Sequence, residues 1–255
     1  MRHHVCFALL LLSLPAICAL VIDSDAGDTN ARAPAQVPGW ANVGTRAGLT
    51  AIYLGNGWVI TARHVGAGDV VLGGVSHRAL PESTVQLGGS KAPPLPDLIV
   101  FRIEPRPALP SLRIRPTPLG VGEPVVLIGA GRDRGARTTW NGQSGWSWGP
   151  HSLLRWGTNR VSAVGVDVGT GEIVTRAFVM RFDPGGTRHE AQAAVGDSGG
   201  AVFIPRKGRF ELAGVLIAIA SYPGQPPETA LYGNLTTAAD LSIYQPALAA
   251  LLRER

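Results

Sequence analysis

Residues 195–202 read "VGDSGGAV": Val195, Gly196, Asp197, Ser198, Gly199, Gly200, Ala201 and Val202. One hydroxyl stands between an acid and two glycines, in a run that is otherwise small and apolar. Glycine lets the backbone take conformations that a Cβ obstructs, so the run can turn sharply and aim several amide N–H groups at one point. A tight turn would use the glycines this way, and so would a loop presenting a nucleophile. Serine attack also needs a base for the hydroxyl proton, a group to orient that base, and donors for the oxyanion. The rest of the chain has to supply them.

The chain has 255 residues, enough for one large domain or two small lobes. Its 33 glycines and 20 prolines follow no collagen period and are interleaved with apolar runs, the pattern of many strands joined by tight turns. Residues 1–19, "MRHHVCFALLLLSLPAICA", combine Arg2, an apolar run and small residues after Pro15, and read as a secretory signal peptide cut after Cys18 or Ala19. The run is too short to span a membrane, and no later stretch is long enough. Both cysteines, Cys6 and Cys18, fall in the leader, so the mature chain is expected to hold no disulfide. A formal charge of +5, without a basic stripe or interleaved aromatics, argues for a mildly basic solvated surface and against nucleic-acid binding.

Residues 20–39 are small and polar, and are expected to form a flexible N-terminus or a pro-segment. From Trp40 onward about ten β-branched or aromatic runs alternate with turn signals, which points to antiparallel sandwiches or barrels. The Pro-rich stretch 104–124 reads as a linker between two lobes or as a surface loop. The segment 129–160 carries Trp140, Trp146, Trp148 and Trp156 among glycines and arginines, suited to lining a cleft or to capping a lobe. The end, from about 239 to 253, has cap residues and apolar residues at helical spacing, with Pro246 placed where it could split the helix.

Of the histidines beyond the leader, only His64 closes a strand-like run, "GWVITARHV". Among the acids, Asp97 adjoins the apolar "DLIVFRI", as an orienting carboxylate should. Asp133 sits among arginines and Asp69 in a glycine turn, which suggests surface positions. His64, His77, His151 and His189 lack ligand spacing with cysteines or acids, so neither a metal nor a cofactor is expected.

Together "WVITARHV", "DLIVFRI" and "GDSGG" resemble three segments of the chymotrypsin or trypsin-like serine proteases, in that family's order of His, Asp, Ser. The resemblance implies an all-β fold of two packed antiparallel six-stranded barrels, about 40–112 and 121–238, followed by a C-terminal α-helix. It implies Ser198 as nucleophile, His64 as general base and then acid, Asp97 as orienter, and the N–H groups of Gly196 and Ser198 as oxyanion donors. Val65 replaces the family's cysteine after the histidine, and Arg63, expected to face solvent, replaces a small residue. Animal members pair the acid before the serine with a new N-terminus released by zymogen cleavage. No Ile-Val-Gly-Gly follows a basic site here, so Asp197 is expected to rest on an internal Arg or on backbone amides, with activity independent of that cleavage. The pocket-floor position corresponds to Gln192 and a wall position to Ala230. Their neutrality implies a neutral, small-to-medium side chain before the scissile bond. The implied partners are protein or peptide substrates, acted on by a secreted chain whose oligomeric state the sequence leaves open, with a monomer favoured. A binding module that has lost catalysis, and an esterase using the same groups, are the competing readings.

Overall fold

Turn chemistry sets the strand order. The computed structural model describes residues 20–23, 30–34, 37–88, 94–206 and 209–253. The leader therefore lies outside the described residues. Strand β1 is Val21–Ile22, and β2 (Val43–Arg46) to β7 follow: β3 (Leu49–Gly55), β4 (Trp58–Thr61), β5 (Val70–Leu72), β6 (Val75–Gln86) and β7 (Ile99–Glu104). Asn56 and Gly57 join β3 to β4 with φ of 51° and 84°, the left-handed pair that a two-residue hairpin turn requires. Strands β2 to β7 close into a barrel in the order β2-β3-β4-β7-β6-β5.

After the Pro-rich crossing from 105 to 123 come β8 (Pro124–Gly129), β9 (Arg132–Trp140), β10 (Gln143–Ser152), β11 (Arg155–Thr170), β12 (Ile173–Arg181) and β13 (Ala191–Gln192). The last elements are β14 (Ala201–Arg206), β15 (Arg209–Ala220), β16 (Thr229–Leu231), β17 (Leu235–Asp240) and the helix α1 (Gln245–Leu251). The second closed barrel runs β11-β12-β17-β15-β14-β8. The fold is thus the expected pair of six-stranded antiparallel barrels with a helix at the end.

Side-chain alternation explains why so many strands are buried on both faces. In the first barrel Ala51, Tyr53, Val59, Ile99 and Phe101 form one core of their own. Their neighbours Ile52, Leu54, Ile60 and Val100 join Ile128, Phe203 and Val215 of the second barrel and Leu248 of α1 in a shared core. Each fully buried residue of this kind contributes about 1.5–3 kcal/mol, so the seam between the barrels is a cohesive interface.

Three expectations are corrected. The ordered chain does not start near Trp40: Leu20, Val21 and Ile22 are buried, and β1 pairs antiparallel with β13, Val21 opposite Gln192. The helix is shorter than residues 239–253, because Leu235–Asp240 is needed between β12 and β15 to close the barrel; Pro246 lies in the first turn of α1, where no N–H is required. Asp133 is buried, 4% exposed, and accepts the N–H of His151 at 3.2 Å. The tryptophan-rich segment serves in both suggested ways. Strands β9, β10 and β16 form a separate sheet, with Trp146 packed against Phe182 and Tyr232, while Trp148 faces a hollow beside Val195.

Candidate active site

Strand β4 delivers His64. All four of its residues are buried, and the chain leaves it in a single 3-10 turn, Arg63–Val65. Buried Val65 anchors that turn, Arg63 is exposed, and the His64 side chain is 46% exposed at the mouth of a cleft.

Asp97 stands just ahead of β7 and is fixed from the other barrel. Leu95 N–H donates to Glu172 O at 2.7 Å and Leu95 O accepts Val174 N–H at 3.0 Å. The Asp97 N–H donates to Thr175 Oγ1 at 2.8 Å. Its carboxylate grips His64 twice: Oδ1 accepts the His64 backbone N–H at 2.9 Å, and Oδ2 lies 2.6 Å from Nδ1. That contact assigns the proton to Nδ1 and leaves Nε2 as the acceptor facing the cleft. The bond to Asp97, aided by its charge and opposed by burial, raises the imidazole above its ordinary pKa.

The serine loop is held by its carbonyls. Val195 O accepts the Arg132 N–H at 2.8 Å and Asp197 O accepts the Gly200 N–H at 2.8 Å. Because a trans peptide points its N–H opposite to its C=O, these bonds turn the N–H groups of Gly196 and Ser198 the other way. Neither N–H donates to a protein acceptor among the described residues. Gly196 takes φ of 102°, a conformation a side chain would resist.

Ser198 and His64 line one cleft of about 340 Å³ with Leu49, Ala193 to Asp197, and Leu216 to Ile219. No hydrogen bond joins Ser198 to His64 among the described residues. Apart from His64, Asp197 and Ser198, the cleft is walled by small and aliphatic residues.

Gln192 and Ala230 do not line this cleft. Gln192 is 1% exposed in β13 against β1, and neither polar atom of its side chain has a partner among the described residues. Ala230 pairs with Trp146 and packs with Val21 and Phe182 behind Ala194, one layer from the cavity. Asp197 is fully buried and accepts the N–H groups of Gly131 at 2.7 Å and Ala194 at 2.8 Å, so backbone amides, rather than an Arg, are its partners. Burial pushes its carboxyl up to about 7 despite both bonds.

Three threonines that sequence reasoning passed over hold the site together. Thr175 fixes Asp97; Thr61 donates its hydroxyl to Thr50 O at 2.7 Å; Thr50 donates its N–H to Ser198 O at 3.0 Å. Lone hydroxyls in apolar strands such as "LTAIYLG" were the available signal, since a buried hydroxyl needs a partner. Among the described residues, no cluster of three or more histidines, cysteines or acids is arranged to hold a metal, and no helix is long and apolar enough to cross a membrane.

A two-barrel fold with an acid, an imidazole and a serine at its seam defines the class of trypsin-like serine proteases. The sequence matches the Trypsin family over residues 27–241, and the chain belongs to that family. Among solved structures it is similar to "Rv3671c protease, inactive form", with 17% identity, a TM-score of 0.52, and coverage of 84% of this chain and 90% of that one. It is also similar to "HtrA-type protease AlgW with decapeptide", with 19% identity and a TM-score of 0.49, covering 81% of this chain and 52% of that one. No curated protein matches.

Proposed function

We propose that this chain is an exported serine endopeptidase. Ser198 attacks the scissile carbonyl, His64 accepts the hydroxyl proton at Nε2 and returns it to the leaving amine, and Asp97 holds the imidazole in the required tautomer. The N–H groups of Gly196 and Ser198 receive the oxyanion. The observation that carries this reading is the double grip of Asp97 on His64 at the mouth of the cleft that Ser198 also lines. The small, apolar walls formed by Ala193, Ala194, Leu216 and Ala218 favour a neutral, small-to-medium side chain before the cleaved bond. Residues 1–19 direct export and are removed after Cys18 or Ala19, and the mature protein acts as a monomer on proteins or peptides.

The test is labelling of the leader-free chain by a fluorophosphonate, with Ser198→Ala as control, followed by a peptide library. Serine-dependent labelling with cleavage after small apolar residues supports the proposal. Absence of labelling makes the chain a binding module. Ester hydrolysis without peptide hydrolysis makes it an esterase, and a profile led by Arg or Lys removes the specificity assignment.

A further inference from the structure

We propose that the Thr50 hydroxyl is a positioning residue for the oxyanion site, acting from the first barrel on the serine loop of the second; this rests on the serine-protease reading above. Thr50 is fully buried in β3. Its Oγ1 donates to Gly196 O at 3.0 Å and accepts the Ala130 N–H at 3.0 Å, so one hydroxyl satisfies two main-chain groups of the second barrel. Its own N–H holds Ser198 O, and its own carbonyl is held by Thr61, three residues before His64.

The consequence falls on Gly196. A glycine at φ of 102° has little intrinsic preference, so its neighbours must choose its conformation. The peptide before its Cα is fixed by Val195 O on the Arg132 N–H, and the peptide after it by Gly196 O on the Thr50 hydroxyl. Clamped from both sides, Gly196 keeps its N–H turned toward the cleft. Without the hydroxyl, that peptide keeps only the Asp197 N–H on Ala194 O at 3.1 Å, and Gly196 O and the Ala130 N–H are left buried without a side-chain partner. The His64–Asp97 bond is untouched, so the defect is confined to oxyanion stabilisation.

Thr50→Val and Thr50→Ser in the leader-free chain test this. Valine keeps the shape and removes the hydroxyl; serine keeps the hydroxyl. Deleting an oxyanion donor costs about 10²–10³ in kcat, and loosening one is expected to cost about ten- to hundredfold. In T50V, kcat falls by that amount, KM stays within twofold, and the midpoint of the acid limb of the pH profile does not move; T50S recovers most of the loss. Unchanged kcat in T50V, a defect confined to KM, or T50S no better than T50V overturns the proposal. Should T50V fail to fold, Thr50→Ala takes its place with the same outcomes. Hydrogen exchange gives a readout independent of catalysis: amides of residues 193–200 exchange at least tenfold faster in T50V. A parent chain that hydrolyses nothing defeats the protease reading, and the clamp then stands or falls on this exchange, equal rates overturning it.

Discussion

Asp197 gives the sharpest quantitative test of the structure. Its carboxyl is fully buried, its hydrogen-bond partners are the amides of Gly131 and Ala194, and burial moves its pKa from 3.8 to about 7. Between those values the folded state keeps a proton that the unfolded chain has released. Stability must therefore fall as pH rises, and the contribution is fully lost above the folded value. A shift of about three pH units corresponds to roughly 4 kcal/mol at about 1.36 kcal/mol per unit, more than half of which falls between pH 5 and 8. Asp197→Asn removes the titration while keeping an oxygen to accept one of the two amides. Both chains would carry Ser198→Ala to prevent self-cleavage, and denaturant unfolding would be measured at pH 5 and pH 8. Glu190, which burial also raises to about 7, is present in both, so its share cancels in the comparison. The parent is expected to lose on the order of 2–3 kcal/mol more than the Asn variant on going to pH 8. Equal losses would show that Asp197 ionises in the fold as it does in water, and the account of a buried carboxylate without a countercharge would be wrong.

Asp97→Asn is expected to lower kcat by about 10³–10⁴. By removing what raises the His64 pKa, it also moves the acid limb of the pH profile to lower pH, which a pH–rate series on the parent and the variant checks. Gly199→Ala would place a Cβ 1.9 Å from Thr50 O at φ of 83°, and an unfolding midpoint unchanged from the parent would refute the close approach of the two barrels there.

The strand-rich class was legible because its signals are local, and the pair of barrels followed from the resemblance that three short runs carry. His64, Asp97 and Ser198 each lie in a short run whose composition fits one chemical role. What was missed depends on partners distant in sequence. A two-residue strand has no periodicity, so Val21–Ile22 could be recognised only with β13 beside it. Residues 235–240 carry helix-cap types, yet the gap between β12 and β15 decides their conformation. Counting six residues back from Ser198 fixes where the backbone of Gln192 lies. Its side-chain direction follows from the pairing with Val21, which no count of residues contains.

The same distinction explains how the site is assembled. Asp97 belongs to the first barrel but is fixed by Thr175 and the β12 backbone of the second; Ser198 belongs to the second but is fixed by Thr50 of the first. Each barrel thus completes the half of the site carried by the other, through bonds that exist only when Ile52 and Ile60 are packed with Ile128 and Phe203 at the seam. An arrangement of this kind gains rigidity from the interface as a whole, because tilting one barrel by a fraction of an ångström would lengthen hydrogen bonds to both the acid and the serine loop. Its hydroxyl-bearing strands can therefore be apolar almost throughout: Thr50, Thr61 and Thr175 carry the polar connections, and the aliphatic residues around them supply the packing that keeps those connections short.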